Sequence, residues 1–389
     1  MLRSKIDDTH ALVRRCGGWE TVLRAYPQLQ EAMQASPAGM SRAVRCPLRQ
    51  EGKTVFRLYK DWREKGGGYH NDFGRFGDGI DLIAWLEGCS KTQAMDRIIE
   101  ICGGDLSSVS VQEAQAVKTD RDNSAQLDED TKAKNQWVLQ KVEREAIHAS
   151  QAQLALNYLH SRGLGAFQLP SNVGFSYRLK TFGINGETLF LPGLLFYIQK
   201  LDGTPVSFHR IFLSEDGYSK SPLVENAKMQ LSGLDDVRGS SIQLGNPLMC
   251  QDQQGRTRCV LAVCEGPETG MAIMLAEGIP VWCGIASTLM ELMDIPECVT
   301  DLLIFEDRDR ILDGKTIGEG ERAGESLMCS IHQELPHITV HRFLPPNPIR
   351  QGEKSQDWLD EWNATCTRSF PSFLEREGLT VIGQYARTA

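Results

Sequence analysis

No run of apolar residues in this 389-residue chain approaches the ~20 needed for a membrane-spanning helix. The polar opening MLRSKIDDTH has no secretory-signal core, so the chain is expected to be cytoplasmic, with no membrane partner. Cys-x-x-Cys pairs are also missing. The eleven cysteines are scattered, several inside apolar patterns (Cys264, Cys283), which argues for reduced, packed thiols rather than a disulfide framework. No Gly-x-x-x-x-Gly-Lys-Ser/Thr loop occurs, which excludes a P-loop helicase motor from the sequence. Positive charge is short as well, with 42 Lys and Arg against 51 Asp and Glu and a net charge of −9.

That deficit is local. Residues 42–65 carry eight Lys or Arg against three acids, whereas residues 259–363 carry seven against nineteen. A polyanion responds to the patch that it touches, so the overall charge does not exclude nucleic acid.

The acidic stretch has a pattern. VLAVC, GIPVWC, DLLIF and HITVHRF read as buried parallel strands separated by the helical segments ETGMAIMLAEG and GEGERAGESLMCSIHQEL. Glu265 follows the first strand, Asp307 and Asp309 follow the third, and Asp357 lies beyond the fourth. Carboxylates after strand ends gather at the carboxyl rim of a parallel sheet, where open α/β folds bind ligands. Alternate residues of an extended segment share a face, so Asp307 and Asp309 together suit Mg²⁺ or Mn²⁺.

Upstream, residues 172–247 are strand-rich, with turns at Leu201-Asp202-Gly203 and Glu215-Asp216-Gly217. His209, Arg210, Lys220 and Lys228 recur there as candidate contacts for a triphosphate or a nucleic-acid backbone. QWVLQKVEREAIHASQAQLALNYLHSRGL reads as one helix with Trp137, Val138, Val142, Ile147 and Leu154 on a buried stripe. Residues 105–135, polar and without an aromatic, read as a flexible linker. Before them, TVFRLY and GGG read as a small β-ribbon and GIDLIAWL as a helix. Arg45, Arg49, Lys53, Arg57, Lys60 and Arg63 either touch template phosphates or form a solvated face.

These motifs together resemble the plasmid and phage branch of DNA primases. EGPETGMAIM, GIPVWCGIAS, GEGERAG and KSQDWLD resemble its Toprim domain, with Asp307-Arg308-Asp309 in place of Asp-Asn-Asp and both Asp357 and Asp360 retained. FHRIFLSEDGYSKSP through AKMQL resembles the primase subdomain, and NYLHSRGL its opening, which adds Arg162 as a nucleotide or nucleic-acid contact. Cys46-Pro47, GKTVFRLYKD and DGIDLIAWL resemble the family's front zinc ribbon. Its ligand positions read Cys46, Arg49, His70 and Phe73, two ligands where a structural zinc takes four. Zinc is therefore not expected here; the reading is a ribbon whose metal has been replaced by packing of Phe73, Phe76 and neighbouring aromatics.

The resemblance implies an α/β fold: a Toprim-type parallel sheet flanked by helices, preceded by a strand-rich primase subdomain and a small β-ribbon and helical domain. It implies a front domain at 1–104, the linker, a primase subdomain at 136–258, a Toprim domain at 259–363 and a tail at 364–389. Glu265 would be the acid/base or metal-positioning carboxylate, and Asp307, Asp309 and Asp357 would bind Mg²⁺ or Mn²⁺, with Asp360 beside them. The implied activity is nucleotidyl transfer making RNA primers. Its partners would be single-stranded DNA, nucleoside triphosphates and a separate replicative helicase. A Toprim nuclease and a non-catalytic nucleic-acid-binding replication protein are the alternatives. A topoisomerase is disfavoured because Tyr385 stands isolated in the tail.

Overall fold

The computed structural model describes residues 4–52, 54–71, 73–104, 106, 109–231, 237–311 and 316–385. The chain divides into two compact units, 1–134 and 135–389.

In the first unit, α1 (Lys5–Arg15), α2 (Trp19–Leu23) and α3 (Gln30–Ala35) precede an antiparallel ribbon of β1 (Phe56–Leu58), β2 (Gly68–His70) and β3 (Gly74–Phe76), with α4 (Trp62–Lys65) between its first two strands. Then follow α5 (Gly79–Glu87), α6 (Lys91–Ile101) and α7 (Val111–Glu145). Asp78 starts α5 by accepting the Ile80 and Asp81 amides, both at 3.0 Å. The core joins Trp19, Phe56, Leu58, Trp62, Ile80 and Ile83, so ribbon and helices share one apolar interior.

The linker reading of 105–135 is corrected by α7. No Gly or Pro occurs between Asp105 and Arg162, and the segment is rich in Ala, Gln, Glu and Lys. Low hydrophobicity argued against a core there, not against a helix. Ser110 and Glu113 form the reciprocal amide contacts of a capping box, at 3.2 and 2.7 Å. The single helix expected through residues 136–164 is also corrected, since α7 ends at Glu145 and Ile147 enters a sheet. Trp137, placed on the buried stripe, is 57% exposed.

The second unit contains two main sheets. β4 (Ile147–His148) is followed by α8 (Gln153–Ser161), β5 (Val173–Phe182), β6 (Thr188–Gln199), β7 (Pro205–Phe212) and β8 (Lys228–Gln230), and these strands pair antiparallel in chain order. Buried Arg210 on β7 donates to the carbonyls of Lys180 on β5 (3.1 Å) and Gln230 on β8 (3.4 Å).

The other sheet comprises β9 (Ile242–Gln243), β10 (Leu248–Gln251), β11 (Thr257–Cys264), β12 (Val281–Cys283), β13 (Asp301–Phe305), β15 (Thr339–Phe343) and β17 (Thr380–Gln384). Its helices are α9 (Pro267–Glu277), α10 (Ser287–Met290), α11 (Glu319–Glu334), α12 (Trp358–Thr365) and α13 (Phe373–Arg376). The short pair β14 (Arg308–Asp309) and β16 (Ser355–Gln356) stands apart. β12, β11, β13 and β15 are parallel, as expected. Alternation along β11 sends Val260, Ala262 and Cys264 into a core shared with Met271, Ala272 and Ile273 of α9. Leu261 and Val263 face Ala323, Leu327 and Ile331 of α11. Of the tail expected at 364–389, the described residues to 385 are part of the fold: Phe370 and Phe373 are buried, and β17 pairs with β10. Five consecutive exposed residues in β17 hid the strand from a reading based on apolar alternation.

Candidate active site

Three chain reversals bring the acids together. β11 ends at Cys264, so Glu265 stands at the turn into α9, where Pro267 occupies the first turn. β13 ends at Phe305 and continues into Asp307 and the β14 pair. Asp357 is the N-cap of α12, exchanging amide contacts with Asp360 at 2.8 and 3.2 Å. Gly320 lets α11 lie directly on the second reversal, since a Cβ there would overlap the Asp307 carbonyl oxygen. Its amide donates to Asp309 at 2.8 Å. The GEGERAG motif is therefore a close-packing device that holds Asp307 and Asp309.

Burial raises the Glu265 carboxyl to about 7; Asp309 adds to the rise and Lys228 opposes it. Burial also lifts Asp307 well above the carboxylate range, and Glu265, Asp357 and Asp309 push it further. Asp309 is raised by burial against the pull of the Gly320 amide, and Asp357 by burial and Asp360. Asp307 Oδ1 is buried with no hydrogen-bond partner. Four mutually repelling, oxygen-only groups with an orphaned buried oxygen fit a hard divalent cation. Among the described residues no three His, Cys, Asp or Glu side chains close around one point, so the ligands are gathered but not converged. Arg308, between the two aspartates, directs its guanidinium to the Pro345 carbonyl, at 2.7 and 3.0 Å.

The carboxylate at the centre of the second half of the site was missed in the sequence. Glu268, one helical turn beyond Glu265, has a side chain only 4% exposed. Lys228 Nζ lies 2.5 Å, Arg162 Nε 3.2 Å and Lys220 Nζ 3.7 Å from its carboxylate, and the Tyr158 hydroxyl donates to it at 2.6 Å. Burial opposes its ionisation, yet Lys228, Lys220 and the Tyr158 hydroxyl outweigh it and bring Glu268 down to about 2. Burial likewise opposes charge on Lys228, which Glu268, Asp357 and Glu265 hold above its ordinary value. Thus Arg162, Lys220 and Lys228, expected as phosphate contacts, converge on one carboxylate, and Lys228 also feels Glu265 and Asp357. The available signal was the Glu265–Glu268 spacing, which puts both acids at the start of one helix.

Other expected contacts are engaged differently. His209 is buried, neither ring nitrogen has a hydrogen-bond partner, and burial with neighbouring Lys228 lowers it to about 3. It is neutral at physiological pH. Arg210 is spent on the strand carbonyls described above and on the Phe212 ring, 5.2 Å away. In the first unit, Arg45 pairs with Glu31 at 2.8 Å, Arg57 lies over Tyr69 at 5.0 Å, and Lys60 is exposed. Lys53 lies outside the described residues. Where the ribbon would carry ligands, Arg49 lies over Phe73 (5.5 Å), His70 meets Phe73 edge-on (4.9 Å), and Phe56, Phe76 and Trp85 complete the aromatic cluster.

The family profile described as Toprim domain matches residues 260–367, the segment that carries all four acids. This segment is a Toprim domain. Ahead of it, residues 133–243 match a profile described as a domain of unknown function, DUF7146. Together, the two profiles span Arg162, Lys220 and Lys228 as well as the Toprim acids. No curated protein matches the chain. Among solved structures, the zinc-binding and RNA polymerase domains of the Aquifex aeolicus primase share 14% identity, over 96% of this chain and 86% of that one, with a TM-score of 0.34. A DNA primase domain from Pseudomonas aeruginosa shares 15%, over 59% and 72%, with a TM-score of 0.35. The primase fragment of the bacteriophage T7 primase-helicase shares 12%, over 57% and 68%, with a TM-score of 0.31. Glu265 and Asp307 follow the parallel strands β11 and β13, whereas Asp309 lies on β14 and Asp357 follows β16, an antiparallel pair and not the parallel strand that the sequence suggested. Among the described residues no helix is long and apolar enough to cross a membrane.

Proposed function

We propose that this protein is a template-directed primase that makes short RNA primers on single-stranded DNA by metal-dependent nucleotidyl transfer, in the replication of a plasmid, phage or other mobile element. One observation carries the reading: Arg162, Lys220 and Lys228 reach the Toprim helix turn that also presents Glu265, so a cation cluster and an acid cluster adjoin. A nucleoside triphosphate with its divalent ion needs both, basic groups for phosphate oxygens and carboxylates for the metal. When held by Asp307, Asp309 and Asp357, Mg²⁺ or Mn²⁺ supplies activation of a 3′-hydroxyl and neutralisation of the charge on departing pyrophosphate. Glu265, raised by burial and by Asp309, is the acid/base or metal-positioning carboxylate in this reading. Lys228 bridges the two groups, bound to Glu268 and attracted by Glu265 and Asp357. A separate replicative helicase and a cytoplasmic site of action belong to the same reading.

The test is to incubate purified protein with nucleoside triphosphates, Mg²⁺ and a panel of single-stranded DNA templates. Short oligoribonucleotides should form, and Asp307→Asn should abolish them. Folded protein that forms none on any template would refute priming. Metal-dependent cleavage of the DNA instead would support a Toprim nuclease, the second reading, which the substituted ribbon ligand positions Arg49 and Phe73 favour.

A further inference from the structure

The far end of the β5–β6 hairpin has two dissimilar faces. Inward, Leu179 and Leu191 are buried in a cluster with Leu139 and Val142 of α7. Outward, Arg178, Lys180 and Phe182 follow one another at alternate positions of β5, and Phe190 stands on β6 directly opposite Lys180. Phe182 is 63% exposed and Phe190 52%. The Arg178 guanidinium lies over the Phe190 ring, 5.2 Å from its centroid. Tyr177, in the irregularity between Ser176 and Leu179, is exposed beside them.

Two large rings in water within a short ribbon oppose its stability unless something covers them. The flanking charges say what kind of partner fits. Lysine is depleted in the centres of protein interfaces, whereas alternating rings and cations suit a strand whose bases stack and whose phosphates run alongside. A duplex keeps its bases stacked inside and offers such rings nothing. β5 is also in contact with β8, the strand that carries Lys228. Arg210 ties β5 to β8 through the Lys180 and Gln230 carbonyls, Thr181 Oγ1 lies 3.8 Å from Met229 Sδ, and the next residue along β8 is Lys228.

We infer that Arg178, Lys180, Phe182 and Phe190 form a stacking platform for single-stranded nucleic acid on β5 and β6, in the same sheet as the strand β8 that carries Lys228. The inference rests on the priming reading only in taking that strand to be the template. Binding of a fluorescein-labelled oligothymidylate to the full chain, followed by anisotropy, tests it. Phe182→Ala/Phe190→Ala should raise Kd about tenfold or more while leaving thermal unfolding near that of the parent. Lys180→Ala should lower the salt-dependence slope by about 0.7. In Phe190→Trp, indole fluorescence should be quenched as oligonucleotide is added. Parallel titrations with oligouridylate and a DNA hairpin separate DNA from RNA and single strand from duplex. An unchanged Kd in the double variant, or duplex binding as tight as single strand, would overturn the platform. Platform-dependent binding without primer synthesis removes priming alone, and primer synthesis with undiminished binding in the double variant removes the platform alone.

Discussion

Glu268→Gln is the most informative single change. In the folded protein this carboxyl titrates near 2, against an ordinary 4.5, although its side chain is almost wholly out of water. A difference of about 2.5 units, at 1.36 kcal/mol each, corresponds to about 3 kcal/mol of stabilisation at neutral pH. That agrees in size with removal of one partner from a buried ion pair, and the change leaves Arg162, Lys220 and Lys228 facing a neutral amide. Because the folded value lies below the unfolded one, the contribution is complete above about pH 4.5 and is lost as pH falls toward 2. Urea unfolding at pH 7 should therefore show the variant weaker by about 3 kcal/mol, and its acid limb below pH 4.5 should be flatter by one proton. Adding Lys228→Met should restore part of the loss, since the two changes share one pair. A Glu268→Gln protein within about 1 kcal/mol of the parent would refute the view that this carboxylate organises the cluster.

Asp307→Asn acts in the opposite direction. Burial and the neighbouring acids hold Asp307 well above the ordinary carboxylate range, and burial raises Glu265 to about 7, so in metal-free protein both favour folding at low pH; the Glu265 contribution is lost as pH rises through about 7, and the Asp307 contribution as pH rises above the ordinary carboxylate range. The variant should be more stable than the parent by about 1–2 kcal/mol at pH 7 without metal, and Mg²⁺ should raise the Tm of the parent only, as read by calorimetry. In the ribbon, Arg49→Cys/Phe73→Cys beside Cys46 and His70 makes a Cys-x₂-Cys and His-x₂-Cys spacing in a place where the Arg49, His70 and Phe73 side chains already meet. Elemental analysis should then find one zinc per chain, and its absence would show that the aromatic cluster no longer has the ligand geometry.

The strand-and-acid framework was legible because its signals are local. VLAVC and LLIF are apolar on both faces, as a doubly covered parallel strand requires, and the acids Glu265 and Asp307 follow these runs by one and two residues. Glu268 was not legible for a different reason. An acid in the first turn of a helix is ordinarily explained by the helix dipole, and its partners Arg162, Lys220 and Lys228 come from residues 106, 48 and 40 positions earlier. His209 and Arg210 looked alike on paper, but burial made one neutral and gave the other to backbone carbonyls. The helical character of 111–135 was hidden by composition, because a polar segment without Gly or Pro suits both coil and solvated helix.

The pairing of β10 with β17 sets a timetable for synthesis. Leu248–Gln251 leaves the ribosome about 130 residues before Thr380–Gln384, its neighbour in the sheet. At ordinary elongation rates of ~5–20 residues per second, that flank of β10 waits some seconds with its amides and carbonyls unmatched. Nascent chains on one message meet one another during such an interval, and an open strand flank is where they would join. The exposed residues of β17 make it a poor nucleus, which suits a strand that joins β10 late.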